Sequence, residues 1–375
     1  MALWSLWLLA GMSVAQPAGK DSMLVYIGTY STRGSEGVYV YRFDAATGTL
    51  SDTGHRGAVA SPSFVTTNAD GTRLYAANED WSKPQGSVSA FAVDPASGAL
   101  TLLSQASAKG SGPCHVALAP SGKLVVAANY GSGSVVSLPL GADGQVLEAA
   151  DLVQHEGHGP NPKRQEKVHA HSATFDPTGQ RVYVCDLGID KIMIYRPDEQ
   201  GHLVPNAPAY AQVHPGAGPR HMAFAPDGRF AYVINELDST ITVCAYDAAT
   251  GALTEVEHVP TRPAGWTGNS TCADIHQDAT GRHLYGSNRG HDSIAVYDVA
   301  ADTGRLTLVQ HQGTGGKTPR NFALDPSGKW LIAANQDSDN LVVFSVDPAT
   351  GKLGEAGQSV KVPAPVCVRF APVGK

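Results

Sequence analysis

Short apolar runs broken by Gly, Pro, Asp and Asn follow one another along almost the whole chain. Within many of them apolar and polar side chains alternate, as in Ser239-Thr-Ile-Thr-Val-Cys-Ala-Tyr246. A period of two between turn residues reads as β-strands joined by tight turns. No segment sustains a 3.6-residue period, so helix is expected to be scarce. The runs also repeat. A Pro/Ala-x-Gly turn recurs at Asp70-Gly71, Ser121-Gly122, Thr178-Gly179, Asp227-Gly228, Thr280-Gly281 and Ser327-Gly328, with glycine separations of 51, 57, 49, 53 and 47 residues. One run precedes each turn. A second follows it and ends at Asn78, Asn129, Asp186, Asn235, Asn288 or Asn335. A third run closes on Asp-x-x-Thr/Ser-Gly-x-Leu, as at Asp44, Asp94, Asp247 and Asp347, and a weaker fourth run comes after it. Four strands in about 50 residues is the blade unit of a β-propeller.

The two ends fix the blade count. Residues 23–50 match a second, third and fourth run but lack a first, and the tail Pro365–Pro372 matches a first run and stops. The expected fold is all-β: a seven-bladed β-propeller of four-stranded antiparallel blades, with the N- and C-terminal strands sharing one blade. Sharing removes the exposed sheet edges. Length alone would suggest two or three domains; the repeat gathers residues 23–375 into a single propeller domain.

Residues 1–15 form an apolar run too short to span a bilayer, ending in the small-x-small pattern Ser13-Val14-Ala15. They read as a signal peptide, followed by a short linker over 16–22. Export to the periplasm or outside follows. A cytoplasmic location is the alternative, because no Lys or Arg precedes the apolar run. No membrane span is expected in the mature chain. A net charge of −7, from 27 basic and 34 acidic residues, argues against nucleic acid as a partner. The cysteines Cys114, Cys185, Cys244, Cys272 and Cys367 are widely spaced and lie in or beside strand-like runs, so buried free thiols are expected.

Consecutive strands of a blade are antiparallel. Residues just before a first strand and just after a second therefore meet at one end of the blade, beside the central channel. Those positions hold His115, His169, His171, Arg220, His221 and Arg320, together with Asp186, Asn235, Glu236 and Arg289. Upstream of His169 the stretch Asn161-Pro-Lys163-Arg164-Gln-Glu-Lys adds a charged loop. A pocket with a few convergent polar groups is the default site. Plainer readings stand beside this one. His171 would be a satisfied strand histidine, Arg220 and Glu236 a salt bridge between adjacent loops, and the recurring Asn residues strand-end turn formers. His155, His158, His214 and His311 lie in loop-like stretches and are expected in solvent. His169 and His171 lack an obvious third ligand nearby, so no metal is expected there.

The stretch Asn161-Pro-x-Arg164-Gln-Glu-x-x-His169-x-His171-Ser172, with Asp186-Leu-Gly-x-Asp190-Lys, Gly218-Pro-Arg220-His221 and Asn235-Glu236-Leu, resembles the lactonase-type seven-bladed propellers. That family includes 6-phosphogluconolactonase and carboxymuconate-lactonizing enzyme. The resemblance implies a lactone hydrolase acting on a small-molecule lactone without a cofactor. It implies an active site of a His, two Arg and a Glu, which fall on His171, Arg220, Glu236 and Arg289. Water attack on a lactone carbonyl builds an oxyanion that a guanidinium stabilises, and His171 or Glu236 would take the water proton. Substrate contacts would come from His169, Arg164, Lys163, His115, His221, Asn235, Asp186 and Arg320. The chain has no Gly-x-Ser-x-Gly nucleophile elbow. A muconate-type cycloisomerase and a non-catalytic binding propeller are the alternatives. Export would favour an unphosphorylated sugar lactone, since phosphorylated ones are cytosolic metabolites. Nothing in the sequence reports on oligomeric state.

Overall fold

The computed structural model describes residues 22–372, and the leader and most of the linker lie outside them. Twenty-eight strands form seven four-stranded antiparallel sheets. No α-helix occurs among the described residues, and one 3-10 turn covers Gln336–Ser338. Blade 1 is made of β1 (Ser22–Thr29), β2 (Val38–Asp44), β3 (Thr49–Gly57) and, as its innermost strand, β28 (Pro365–Pro372). Blades 2 to 7 follow in chain order over residues 62–107, 113–154, 170–212, 219–260, 271–313 and 319–361. β28 lies antiparallel to β1, from Met23↔Pro372 to Thr29↔Pro365. Six complete repeats and one split repeat thus close the ring, as the two ends of the sequence imply.

The core lies between blades. Tyr232, Ile234, Ile241 and Val243 of blade 5 pack on Cys272, Ile275, Leu284 and Tyr297 of blade 6. Tyrosines lock neighbouring blades at the far end: Tyr183 of blade 4 donates to the Gly251 carbonyl of blade 5 at 2.7 Å. Gly251 sits at φ +79°, and a Cβ there would strike Arg181 and the Tyr183 hydroxyl. All five cysteines are buried and free, as expected. No helix among the described residues is long and apolar enough to cross a membrane.

His155 was expected in solvent and is buried instead. Its Nδ1 lies 2.6 Å from Asp186 Oδ2 and its Nε2 lies 3.0 Å from the Tyr195 hydroxyl. The repeat explains this. Asn78, Asn129, Asn288 and Asn335 stand where Asp186 stands, and each donates its amide to a backbone carbonyl of the preceding linker. A carboxylate has no proton to donate there, so the chain supplies an imidazole donor in place of the carbonyl.

Candidate active site

Two positions of the repeat build one mouth of the channel. The first is the second residue of the inner strand. Pairing skips from Ala170 to Ser172, from Pro219 to His221 and from Pro319 to Asn321, leaving His171, Arg220 and Arg320 as bulge residues. Cys114 holds the same place in blade 3. A bulge breaks the alternation and re-aims its side chain. The second position directly follows the second strand and holds Tyr30, Glu79, Tyr130 and Glu236 in blades 1, 2, 3 and 5, with Arg289 ending the second strand of blade 6. A cavity of about 300 Å³ is lined by Glu79, Trp81, Cys114, Tyr130, Arg164, His171, Glu236, Thr271, Arg289 and Arg320. It adjoins an outer chamber of about 530 Å³ through Arg164, Thr271 and Arg289.

Glu236 is the hub. Its Oε2 accepts from Arg220 Nε at 3.0 Å and lies 2.8 Å from Arg289 Nη2, while Arg164 Nη2 donates to Oε1 at 2.5 Å. His171 Nε2 lies 3.9 Å from the same Oε2. Arg220 is further fixed by the Ala273 carbonyl and by His221, which is held in turn by Asp274. Across the cavity Glu79 accepts from the Tyr30 hydroxyl and from Trp81 Nε1, each at 3.1 Å. The Arg320 guanidinium lines the cavity, lies 5.4 Å from the Tyr30 ring centroid and donates no side-chain hydrogen bond among the described residues. Arg289 Nη2 donates to the Cys272 carbonyl at 2.7 Å, and its Nε is buried without a partner among those residues. The free donors of Arg320 therefore face the space that a ligand would occupy.

Electrostatics separates the two candidate bases. Burial alone would raise the Glu236 carboxyl, but the guanidiniums of Arg289, Arg220 and Arg164 outweigh it and hold it far below the usual carboxylate range. His171 is pushed well below the ordinary imidazole value by burial, then by Arg220, His221, Arg320 and Arg289. It is neutral at physiological pH. Burial, with Arg289 and Arg320, pulls Arg220 down to about 10, so it keeps its charge at neutral pH. Burial pushes the Cys114 thiol up, so this cavity-lining sulfur is no thiolate nucleophile.

Of the expected catalytic set, His171, Glu236 and Arg289 line the cavity and Arg220 is bonded directly to Glu236. Of the expected substrate contacts, Arg164 and Arg320 line it. His169 does not; its ring stacks on Tyr130 at 4.5 Å, and its nitrogens meet the Tyr130 carbonyl and Glu166. His221 lies 5.4 Å from His171 and 5.2 Å from His115, which is stacked on Phe64 at 3.9 Å. Asn235 spends its amide on Thr240 and Thr242, and Asp186 spends its carboxylate on His155 and the His169 and Gly188 amides. Lys163 is exposed and lines neither space. Glu79, Trp81 and Tyr30 were not expected. The sequence did carry a signal for Glu79, since it follows Asn78 as Glu236 follows Asn235. A larger recess, of about 860 Å³, opens between blades 3 and 4 near the Ser121 and Gly179 turns, away from these groups.

In class, this is a seven-bladed propeller with a small, cation-rich mouth around a neutral imidazole. The chain belongs to the family described as Lactonase, 7-bladed beta-propeller, which it matches over residues 24–370. It is 39% identical over 345 residues to the 6-phosphogluconolactonase of Bacillus subtilis (strain 168), covering 92% of this chain and 97% of that one. The solved periplasmic gluconolactonase of Pseudomonas aeruginosa is 33% identical with a TM-score of 0.89, covering 94% of this chain and 99% of that one. A Lactobacillus plantarum protein of known structure is 36% identical with a TM-score of 0.87, covering 93% and 99%.

Proposed function

We propose that the mouth hydrolyses a sugar lactone of the gluconolactone type, with His171 as general base. The observation that carries this is the pairing of a neutral imidazole with the unpartnered Arg320 guanidinium in one cavity. His171 takes a proton from water, whose oxygen attacks the lactone carbonyl carbon. The carbonyl oxygen becomes an oxyanion facing Arg289 and Arg320. The ring C–O bond then breaks, and His171 returns the proton to the leaving ring oxygen, giving the open hydroxy acid. Glu236 is a poor base because three guanidiniums hold its charge; it sets the positions of Arg164, Arg220 and Arg289.

Charge favours a ring bearing a phosphate. Arg164, Arg220, Arg289 and Arg320 against Glu79 and Glu236 leave two positive charges in excess (four minus two). The name of the Bacillus relative agrees with a phosphorylated substrate. The leader pattern and the Pseudomonas relative support export, and an exported enzyme would meet the unphosphorylated ring. The test is turnover of 6-phosphogluconolactone and of gluconolactone above the buffer blank. Acceleration of the phosphorylated ring by more than the plain one, with the preference lost in Arg164→Ala, is the expected result. Equal rates on both would remove the phosphate, and no acceleration of either would remove the lactonase.

A further inference from the structure

A second polar cluster lies at the same end of the molecule but on its outer rim. His214 belongs to the segment that joins blade 4 to blade 5, and Asp238 to the turn just after Glu236. Glu255 and His258 lie on β19 (Leu253–Pro260), the outer strand of blade 5. In a regular strand, residues three apart face opposite sides. Here the pairing with β18 (Thr240–Tyr246) steps from Val243↔Glu257 to Cys244↔Glu255 and leaves Val256 as the extra residue. The bulge turns Glu255 and His258 to one side, and both are exposed while Val256 and Glu257 are half-buried.

His214 lies against this pair, its ring centroid 4.4 Å from that of His258. A ligand atom from each of His214, Glu255 and His258 lies within 4.8 Å of those of the other two. His214 Nε2 is 2.5 Å from Asp238 Oδ2, which fixes the proton on that nitrogen. Its Nδ1 lone pair is buried and has no hydrogen-bond partner among the described residues. A carboxylate on one nitrogen and an unused lone pair on the other is the arrangement of a metal-bound histidine. His258 Nδ1 lies 3.0 Å from Glu255 Oε1, the separation of two ligands on one ion, and the ion would take the place of the proton between them.

We propose that His214, Glu255 and His258 bind a divalent transition metal of the zinc type. Two imidazoles and a carboxylate suit that ion, with water as the fourth ligand. The exposed Glu255 and His258 side chains are free to close on it to the ~2.0–2.2 Å that zinc requires. The ion is structural. It clips the segment leading into Arg220 to the outer strand of the next blade, and none of its ligands lines the catalytic cavity. The sequence hides the site because Glu255-x-x-His258 on a strand reads as two opposite faces.

Calorimetric titration of the untagged full chain with zinc chloride tests this, alongside thermal unfolding with and without zinc. The expected result is one zinc per chain and a Tm raised by zinc and restored by chelator. His258→Ala and Glu255→Gln should each weaken binding by about tenfold or more, and Asp238→Asn by roughly 10–100-fold. Both ligand positions are exposed, so the metal-free Tm of those two variants should stay at the wild-type value. His158→Ala, at an exposed histidine elsewhere, should bind as wild type. Absence of stoichiometric binding, or binding that survives His258→Ala unchanged, would overturn the proposal.

Discussion

At the residue scale, His171 and Glu236 sit 3.9 Å apart, one held neutral and the other held charged. Replacing His171 with Ala removes the proton acceptor we propose and should lower kcat by about 10²–10⁴ with little change in Tm. Only neutral imidazole accepts a proton. Burial and the nearby arginines hold the His171 pKa well below 6.5, so the base form persists into mild acid. The blank-corrected kcat/KM for gluconolactone should therefore stay level as pH falls through that value. An acid limb centred there would show that His171 is not held as described, or is not the base. Glu236→Gln acts differently, because it leaves buried guanidiniums without their anion. A loss of about 3–5 kcal/mol in urea unfolding is expected. The Glu236 carboxyl is depressed in the folded state. Its stabilisation is thus complete above the ordinary carboxyl value near ~4.3 and fades only as pH falls toward the low folded one. The gap between wild type and variant should be constant at neutral pH and narrow in strong acid. His171, Glu236 and the arginines were legible in the sequence because a repeat makes odd residues visible against it. Trp81 was not, since nothing marks an aromatic in a loop as facing a cavity until the blades are placed.

At the element scale, the strands could be read because Gly, Pro and Asp end each run, but the bulges could not. Alternation alone cannot show that His171, Arg220 and Arg320 oppose no residue on the neighbouring strand. The charged loop ahead of His169 was visible as charge, yet its anchor is neutral. Gln165 is fully buried and donates to the Leu187 carbonyl at 2.9 Å and to Asp190 Oδ1 at 2.7 Å, while its Oε1 accepts from the Asn161 amide at 3.1 Å. It fastens the loop that carries Arg164 to the blade 4 turn. Asp190 also takes the Gly216 and Gly218 amides, so one carboxylate ties down the approaches to both blade 4 and blade 5. Gln165→Ala should cost about 1–3 kcal/mol of local stability. Amide exchange over residues 159–169 should accelerate, and KM should rise more than kcat falls, because Arg164 loses its place while His171 keeps its own. Unchanged exchange in that segment would show that other contacts hold the loop.

At the scale of the whole molecule, ring closure rests on backbone pairing within blade 1. Packing between other neighbouring blades is by side-chain faces, as between blades 5 and 6. Only blade 1 is assembled from both ends of the chain, and Met23 pairs with Pro372 there, so a short linker can join the two ends. A permuted chain can then be opened in two ways. Opening between Ala279 and Thr280, an exposed turn after the first strand of blade 6, recreates the natural split with an inner strand supplied by the far end. Opening between Ala264 and Gly265, in the exposed segment joining blades 5 and 6, leaves every blade intact. Closure in that second permutant depends on face packing alone. Because strand pairing removes free edges and face packing does not, the first permutant should unfold in one transition near the wild-type Tm. The second should melt lower and more broadly, with fraying at blades 5 and 6. If the two melt alike, inter-blade packing suffices to close the ring, and the shared blade contributes nothing to stability beyond holding the two ends of the chain.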